Sequence, residues 1–237
     1  MTPIGFSTGA LALANFDLAL AELERKPVDS VELSALRFPE LRPLLESIPR
    51  LHLHRYRYVS LHAPSQFKGD EEQETIDALL RLAPPNWPIV IHPDTISSFA
   101  HWRIFGRRIA IENMDRRKPM GRTADELKHI FEELPEATLC FDIGHARQFD
   151  TTMTEAYRIL QLFADRLCQV HVSEVNSASQ HDRLSFSAVL AFEQVANLIP
   201  RQIPLIIESR VTEQEIDAEI DSVRRAIPRH TPALMPA

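Results

Sequence analysis

Histidines and carboxylates close a series of short apolar runs in this chain. His62 stands in Leu61-His62-Ala63-Pro64, His92 in Ile91-His92-Pro93-Asp94, Glu112 in Ile111-Glu112-Asn113, and Asp142 and His145 in Phe141-Asp142-Ile143-Gly144-His145. His171 follows in Val170-His171-Val172-Ser173 and Glu208 in Ile207-Glu208-Ser209. A carboxylate inside a buried strand is costly, whereas at a strand end it can meet a cation. Mixed carboxylate and imidazole donors on rigid elements suit hard and borderline divalent ions. Any one of these residues has a plainer use, since a strand-end histidine is commonly a hydrogen-bonded loop residue and a strand-end acid a helix cap. Taken together they point to one convergent, metal-binding face.

Glu112, Asp142, His171 and Glu208 make one candidate set. His62 and His92 are placed to hold a second ion bridged by Glu112, and His145 and His181 to reach a third position or the substrate. Asn113 is a candidate to orient Glu112 or to bind a substrate hydroxyl. The loops nearby carry Arg116, Arg117, Lys118, Arg122, Arg147, Arg183 and Arg210. This concentration of positive charge matches a substrate bearing phosphate or carboxylate, with Arg147, Arg183 and Arg210 as the proposed contacts. The competing explanation is a set of solvated cations paired with acids on neighbouring helices.

The elements that must carry these groups alternate. Strands are predicted over 4–7, 31–34, 58–62, 89–92, 109–112, 139–143, 169–172 and 203–208. Helical periodicity is predicted over 16–23, 41–48, 74–82, 124–134, 154–167, 186–199 and 213–226, with room for a short helix over 97–105. Strand–helix alternation implies parallel strands joined by crossovers. Eight such units in 237 residues fit a single-domain α/β protein, a (β/α)8 TIM barrel over 1–227 with a flexible tail at 228–237. Its site would lie at the C-terminal ends of the strands.

Composition narrows the partners. A net charge of −7 repels polyanions and argues against nucleic acid, leaving a small, anionic molecule as the expected partner. The first twenty residues lack a basic start followed by a long apolar stretch, and no window is apolar enough to span a bilayer, so a cytoplasmic, membrane-free protein is expected. Cys140 and Cys168 each lie in an apolar run, as packing residues do. No apolar stripe indicates an oligomeric state.

The segments Ile111-Glu112-Asn113, Asp142-Ile143-Gly144-His145, His171-Val172-Ser173-Glu174 and Ile207-Glu208 resemble the signature segments of the xylose isomerase-like TIM-barrel superfamily, over nearly the whole chain. That superfamily includes sugar and sugar-phosphate isomerases and epimerases and the endonuclease IV family. In the isomerase and epimerase branch the resemblance implies one divalent ion, whether zinc, manganese, iron or magnesium, at Glu112, Asp142, His171 and Glu208. Glu112 and Glu208 would then be catalytic, moving a proton between adjacent carbons of a ketose. In the endonuclease IV branch it implies three ions, with His62, His92, His145 and His181 as further ligands. Ser179 departs from that pattern, because a metal-binding aspartate stands there in the family and Asp182 is out of register. Glu112-Asn113-Met114-Asp115 and His171-Val172-Ser173-Glu174 also resemble the UV-damage endonucleases. The leading expectation is a divalent-metal-dependent isomerase or epimerase of a sugar or sugar-phosphate-like substrate. The runner-up is multi-metal hydrolysis of a phosphoester, followed by an oxygen-dependent iron enzyme or a binding protein on the same scaffold.

Overall fold

The computed structural model describes residues 3–228, so the expected flexible tail lies almost wholly outside the described residues. The strands are β1 (Ile4–Ser7), β2 (Ser30–Ser34), β3 (Tyr58–His62), β4 (Ile89–Ile91), β5 (Ile109–Glu112), β6 (Thr138–Asp142), β7 (Leu167–Val172), β8 (Glu174–Val175), β9 (His181–Asp182) and β10 (Leu205–Ile207). Eight of them close a barrel in the order β1-β10-β7-β6-β5-β4-β3-β2, every pairing parallel. The barrel shuts where Ile4 pairs with Leu205. β8 and β9 form a separate antiparallel hairpin above the end of β7.

The helices are α1 (Thr8–Ala12), α2 (Phe16–Leu23), α3 (Phe38–Ser47), α4 (Glu71–Leu82), α5 (Phe99–Trp102), α6 (Ala124–Glu133), α7 (Ile143–Phe149), α8 (Thr154–Leu162), α9 (Phe186–Glu193) and α10 (Ile216–Ala226). α3 starts earlier than its periodicity suggests because Pro39 fits the first turn and Glu40 accepts hydrogen bonds from the Leu36 and Arg37 N–H groups. The stretches expected as single helices over 154–167 and 186–199 each end early and continue as short 3-10 turns. α1, α7 and the β8–β9 hairpin are additions to the predicted set, and the last two carry site residues. No helix among the described residues is long and apolar enough to cross a membrane.

Alternation along each strand sorts the side chains into two environments. Phe6, Val31, Leu33, Leu61, Ile111, Leu139, Phe141, Val170 and Ile207 are buried with the helix residues in the main core outside the barrel. The residues between them face the lumen, where the apolar content includes Ile206 and a small cluster of Val90, Ala110 and Cys140, with Cys168 at its edge. Barrels usually fill this space with branched apolar side chains. Here Ser30, Glu32, Ser60 and Gln169 occupy it, all buried.

Candidate metal centre

Lumen parity places the last inward position of several strands at the C-terminal mouth, and there the metal-type residues meet. Glu112 at the end of β5 is the hub. Its Oε2 lies 3.2 Å from Nε2 of His62 and 3.3 Å from Nε2 of His92. Its Oε1 lies 3.3 Å from Nδ1 of His145 and 3.4 Å from Nδ1 of His171. Nδ1 of His171 is also 3.4 Å from Oε2 of Glu208, which is 3.5 Å from Nδ1 of His181.

Local structure delivers each group. Asp142 ends β6 and caps α7, its Oδ1 accepting from the His145 N–H at 2.6 Å. Gly144 allows that first turn to lie against β7, since a Cβ there would sit 2.4 Å from the Ser173 carbonyl oxygen. The hairpin brings in His181, whose Nδ1 is 2.8 Å from Ser173 Oγ. On α10, Glu219 Oε1 accepts from Ser209 Oγ at 2.6 Å and from the Leu184 N–H at 3.0 Å, tying down the segments that carry Glu208 and His181.

All eight expected ligands therefore converge, in three groups whose donor atoms lie within 4.8 Å of one another: His62, His92 and Glu112; Glu112, Asp142, His171 and Glu208; and Asp142, His145 and His181. Ser179 was expected to leave the third group short of a carboxylate, and Asp142 supplies one by belonging to two groups. Ser179 instead donates from Oγ to Asp115 Oδ1 at 2.8 Å. One buried atom that an ion would use, Asp142 Oδ2, has no hydrogen-bond partner among the described residues, with Nδ1 of His145 3.5 Å away. Such orphans are rare in folded proteins, and a donor set of oxygen and imidazole nitrogen fits a divalent cation.

The electrostatics agree. Burial and the charge of Glu112 push the Asp142 carboxyl well above the usual range. Burial opposes the ionised form of Glu112 too, but the charges of His171 and His92 and hydrogen bonds from His171 and His62 hold it well below the normal range. Burial likewise opposes charged His62, yet its hydrogen bond to Glu112 and the charges of Glu32, Glu112 and Glu208 push it up to about 9. His62 thus stabilises the metal-free protein fully below its unfolded value of 6.5, and this contribution is lost as pH rises through about 9. A cation must displace that proton. Manganese affinity of the metal-free protein, measured against a competing chelator, is expected to rise by at least roughly tenfold per pH unit between pH 7 and about 9, and more steeply where Asp142 and His171 release protons as well.

Among the proposed substrate contacts, only Arg210 lines the cleft of about 470 Å³ above the groups, together with Arg117 and Lys118. Arg147 is taken up by Glu174 Oε1 at 2.8 Å and Ser187 Oγ at 2.9 Å, and Arg183 by Glu215 Oε1 at 2.7 Å. Asn113 is fully buried, donating from Nδ2 to the Asp142 carbonyl and accepting the Asp142 N–H at Oδ1, both at 2.8 Å, so its place is that of a brace between β5 and β6. Two residues of the site were not found from sequence. Asp115 lines the cleft, signalled only by its closeness to Glu112. Glu32 on β2 lies beneath the ligands, its Oε2 accepting from Ser60 Oγ at 3.0 Å and Gln169 Nε2 at 2.7 Å and lying 3.2 Å from Nε2 of His171. A carboxylate behind an imidazole fixes the ring and turns its other nitrogen, here Nδ1, toward the cation.

No protein-family model and no curated protein matches the chain. Solved structures do share its fold. One is a xylose isomerase domain protein from Alicyclobacillus acidocaldarius subsp. acidocaldarius, 14% identical over 96% of this chain and 98% of that one, with a TM-score of 0.65. The IolI protein with a bound zinc atom is 13% identical over 98% of this chain and 100% of its own, also with a TM-score of 0.65. The apo form of 3-keto-D-glucoside 4-epimerase, YcjR, from E. coli is 14% identical over 95% of this chain and 99% of its own, with a TM-score of 0.56. These likenesses show the fold, the (β/α)8 TIM barrel expected from the sequence.

Proposed function

We propose that the protein is a divalent-metal-dependent enzyme acting on a small anionic substrate, and that its reaction is hydrolysis of a phosphoester by more than one ion. The observation behind this reading is the position of Glu112. Both its oxygens are enclosed by imidazoles, Oε2 by His62 and His92 and Oε1 by His145 and His171. That is the setting of a bridging ligand, and it leaves no oxygen free to carry a proton between adjacent carbons. Two or three bound ions would neutralise phosphoryl oxygens and clamp an in-line displacement. Glu112 and Asp142 would each be shared between neighbouring ions. Glu208 lines the cleft and is held down to about 2, against the effect of burial, by the charge and hydrogen bond of His171 and the charge of His181, so it stays an ionised acceptor. Arg117 and Arg210, with Lys118 already paired with Asp94 at 2.8 Å, would balance the charge of the substrate.

The isomerase or epimerase reading keeps one specific support: Glu112, Asp142, His171 and Glu208 also form a complete single-ion set. Metal content per chain separates the two. Protein prepared without chelator is expected to carry two or three equivalents of zinc, manganese or iron and to release p-nitrophenol from p-nitrophenyl phosphate. One equivalent with interconversion of ketose phosphates would replace this proposal with the isomerase reading. Bound metal with no turnover of either panel would leave a binding protein or an oxygen-dependent iron enzyme in its place.

A further inference from the structure

Leu13, just after α1, has φ 53° and ψ −126°. Gly106 has nearly the same backbone, φ 53° and ψ −128°. Glycine takes this shape at little cost, whereas a side chain there is strained. Such strain persists only where the surroundings enforce it, and it gathers at sites of function. The Leu13 N–H donates to the Gly9 carbonyl at 3.2 Å, which fixes the turn, yet the side chain remains 56% exposed. Core packing therefore does not explain a leucine here.

The side chain lines the same cleft as the metal groups. With Gly9, Ala10 and Leu36, it forms an apolar wall above the ends of β1 and β2. β5 lies four strands from β1 in either direction round the closed barrel. The loop after β5 carries Arg117 and Lys118, the latter paired with Asp94 at 2.8 Å, while Arg210 lines the cleft from the segment after β10, beside β1, so the apolar wall stands opposite one group of cations and next to another.

We infer that the cleft takes an amphipathic phosphoester, with its phosphoryl group over the metal groups toward Arg117 and Lys118 and an apolar organic group against Leu13 and Leu36. Leu13 is the specificity residue, held in a disfavoured backbone shape that presents its side chain to that group. This rests on the hydrolase reading for the phosphoryl end and on the Leu13 geometry for the apolar end.

Unreactive probes test it on the metal-loaded protein. Calorimetric affinity for methyl-, ethyl-, propyl- and butylphosphonate is expected to rise by roughly fourfold per buried methylene. Leu13→Gly and Leu13→Ala are both expected to flatten that series while binding methylphosphonate as the wild type does. Leu13→Gly, which relaxes the backbone, is expected to melt no lower than the wild type and above Leu13→Ala. A chain-length dependence unchanged in both variants would overturn the inference. So would a lower melting temperature for Leu13→Gly with methylphosphonate binding also weakened, or no phosphonate binding by the wild type. Failure of the hydrolase reading shows separately, as no release of p-nitrophenol by wild-type protein whose phosphonate series is intact.

Discussion

Glu112→Gln is expected to strip the protein of metal and to weaken its fold in the metal-free state. The carboxylate belongs to two of the three ligand groups and stands against four imidazoles. An amide offers one acceptor and one donor, so the pair of rings on the nitrogen side loses its acceptor. His171 is buried completely and held well above its ordinary range, burial being outweighed by Glu208, Glu32 and Glu112 among its acidic neighbours. Removing one partner from a buried charged set costs about 3 kcal/mol. For a domain of this size that is a fall in melting temperature of roughly 6–12 °C. Metal content by elemental analysis and melting in chelator read the two effects separately. A Glu112→Gln protein that keeps its full metal complement would show that the groups are an ordinary hydrogen-bonded cluster.

The convergence of these groups was legible in the sequence because most of them stand at a boundary that the sequence marks. In Ile109-Ala110-Ile111-Glu112 and Leu139-Cys140-Phe141-Asp142 the apolar run fixes a strand, and the polar residue that ends it falls on the lumen side by parity. What sequence could not show depends on closure. Ser30-Val31-Glu32-Leu33-Ser34 alternates as a strand with one face in water does, and only the closed barrel turns Glu32 into a fully buried group behind His171. The two explanations of the arginines could not be separated in sequence for a related reason. Arg147 and Arg183 are close to ligands along the chain, but Glu174 on the hairpin and Glu215 before α10 reach them first, through contacts that only the packing of those segments creates. The third group depends on packing too, because a carboxylate was sought near His181 in sequence, whereas Asp142 arrives from β6, the strand beside β7.

Asp142→Asn is expected to have the opposite effect on the metal-free fold while abolishing metal binding just as fully. Asp142 has one oxygen satisfied by the His145 N–H and one buried with no partner. Burial and the nearby charge of Glu112 raise its carboxyl, so in the absence of a cation ionised Asp142 opposes folding. The sign follows from linkage: a carboxyl raised in the folded state binds its proton more tightly there, and stability falls as pH climbs through the folded value. Asparagine keeps the oxygen that caps α7 and replaces the unpartnered Oδ2, 3.5 Å from Nδ1 of His145, with a neutral amide nitrogen. The metal-free Asp142→Asn protein is expected to be more stable than metal-free wild type by on the order of 1 kcal/mol. The wild type should gain about 4 kcal/mol at a thousandfold excess of metal over the dissociation constant and so lead by about 3 kcal/mol, while the variant gains nothing. A variant less stable than wild type without metal would mean that Asp142 serves the fold itself. Opposite signs for Asp142 and Glu112 are what shared ligands of a cation cluster require, since one carboxylate is balanced by imidazoles without metal and the other is not.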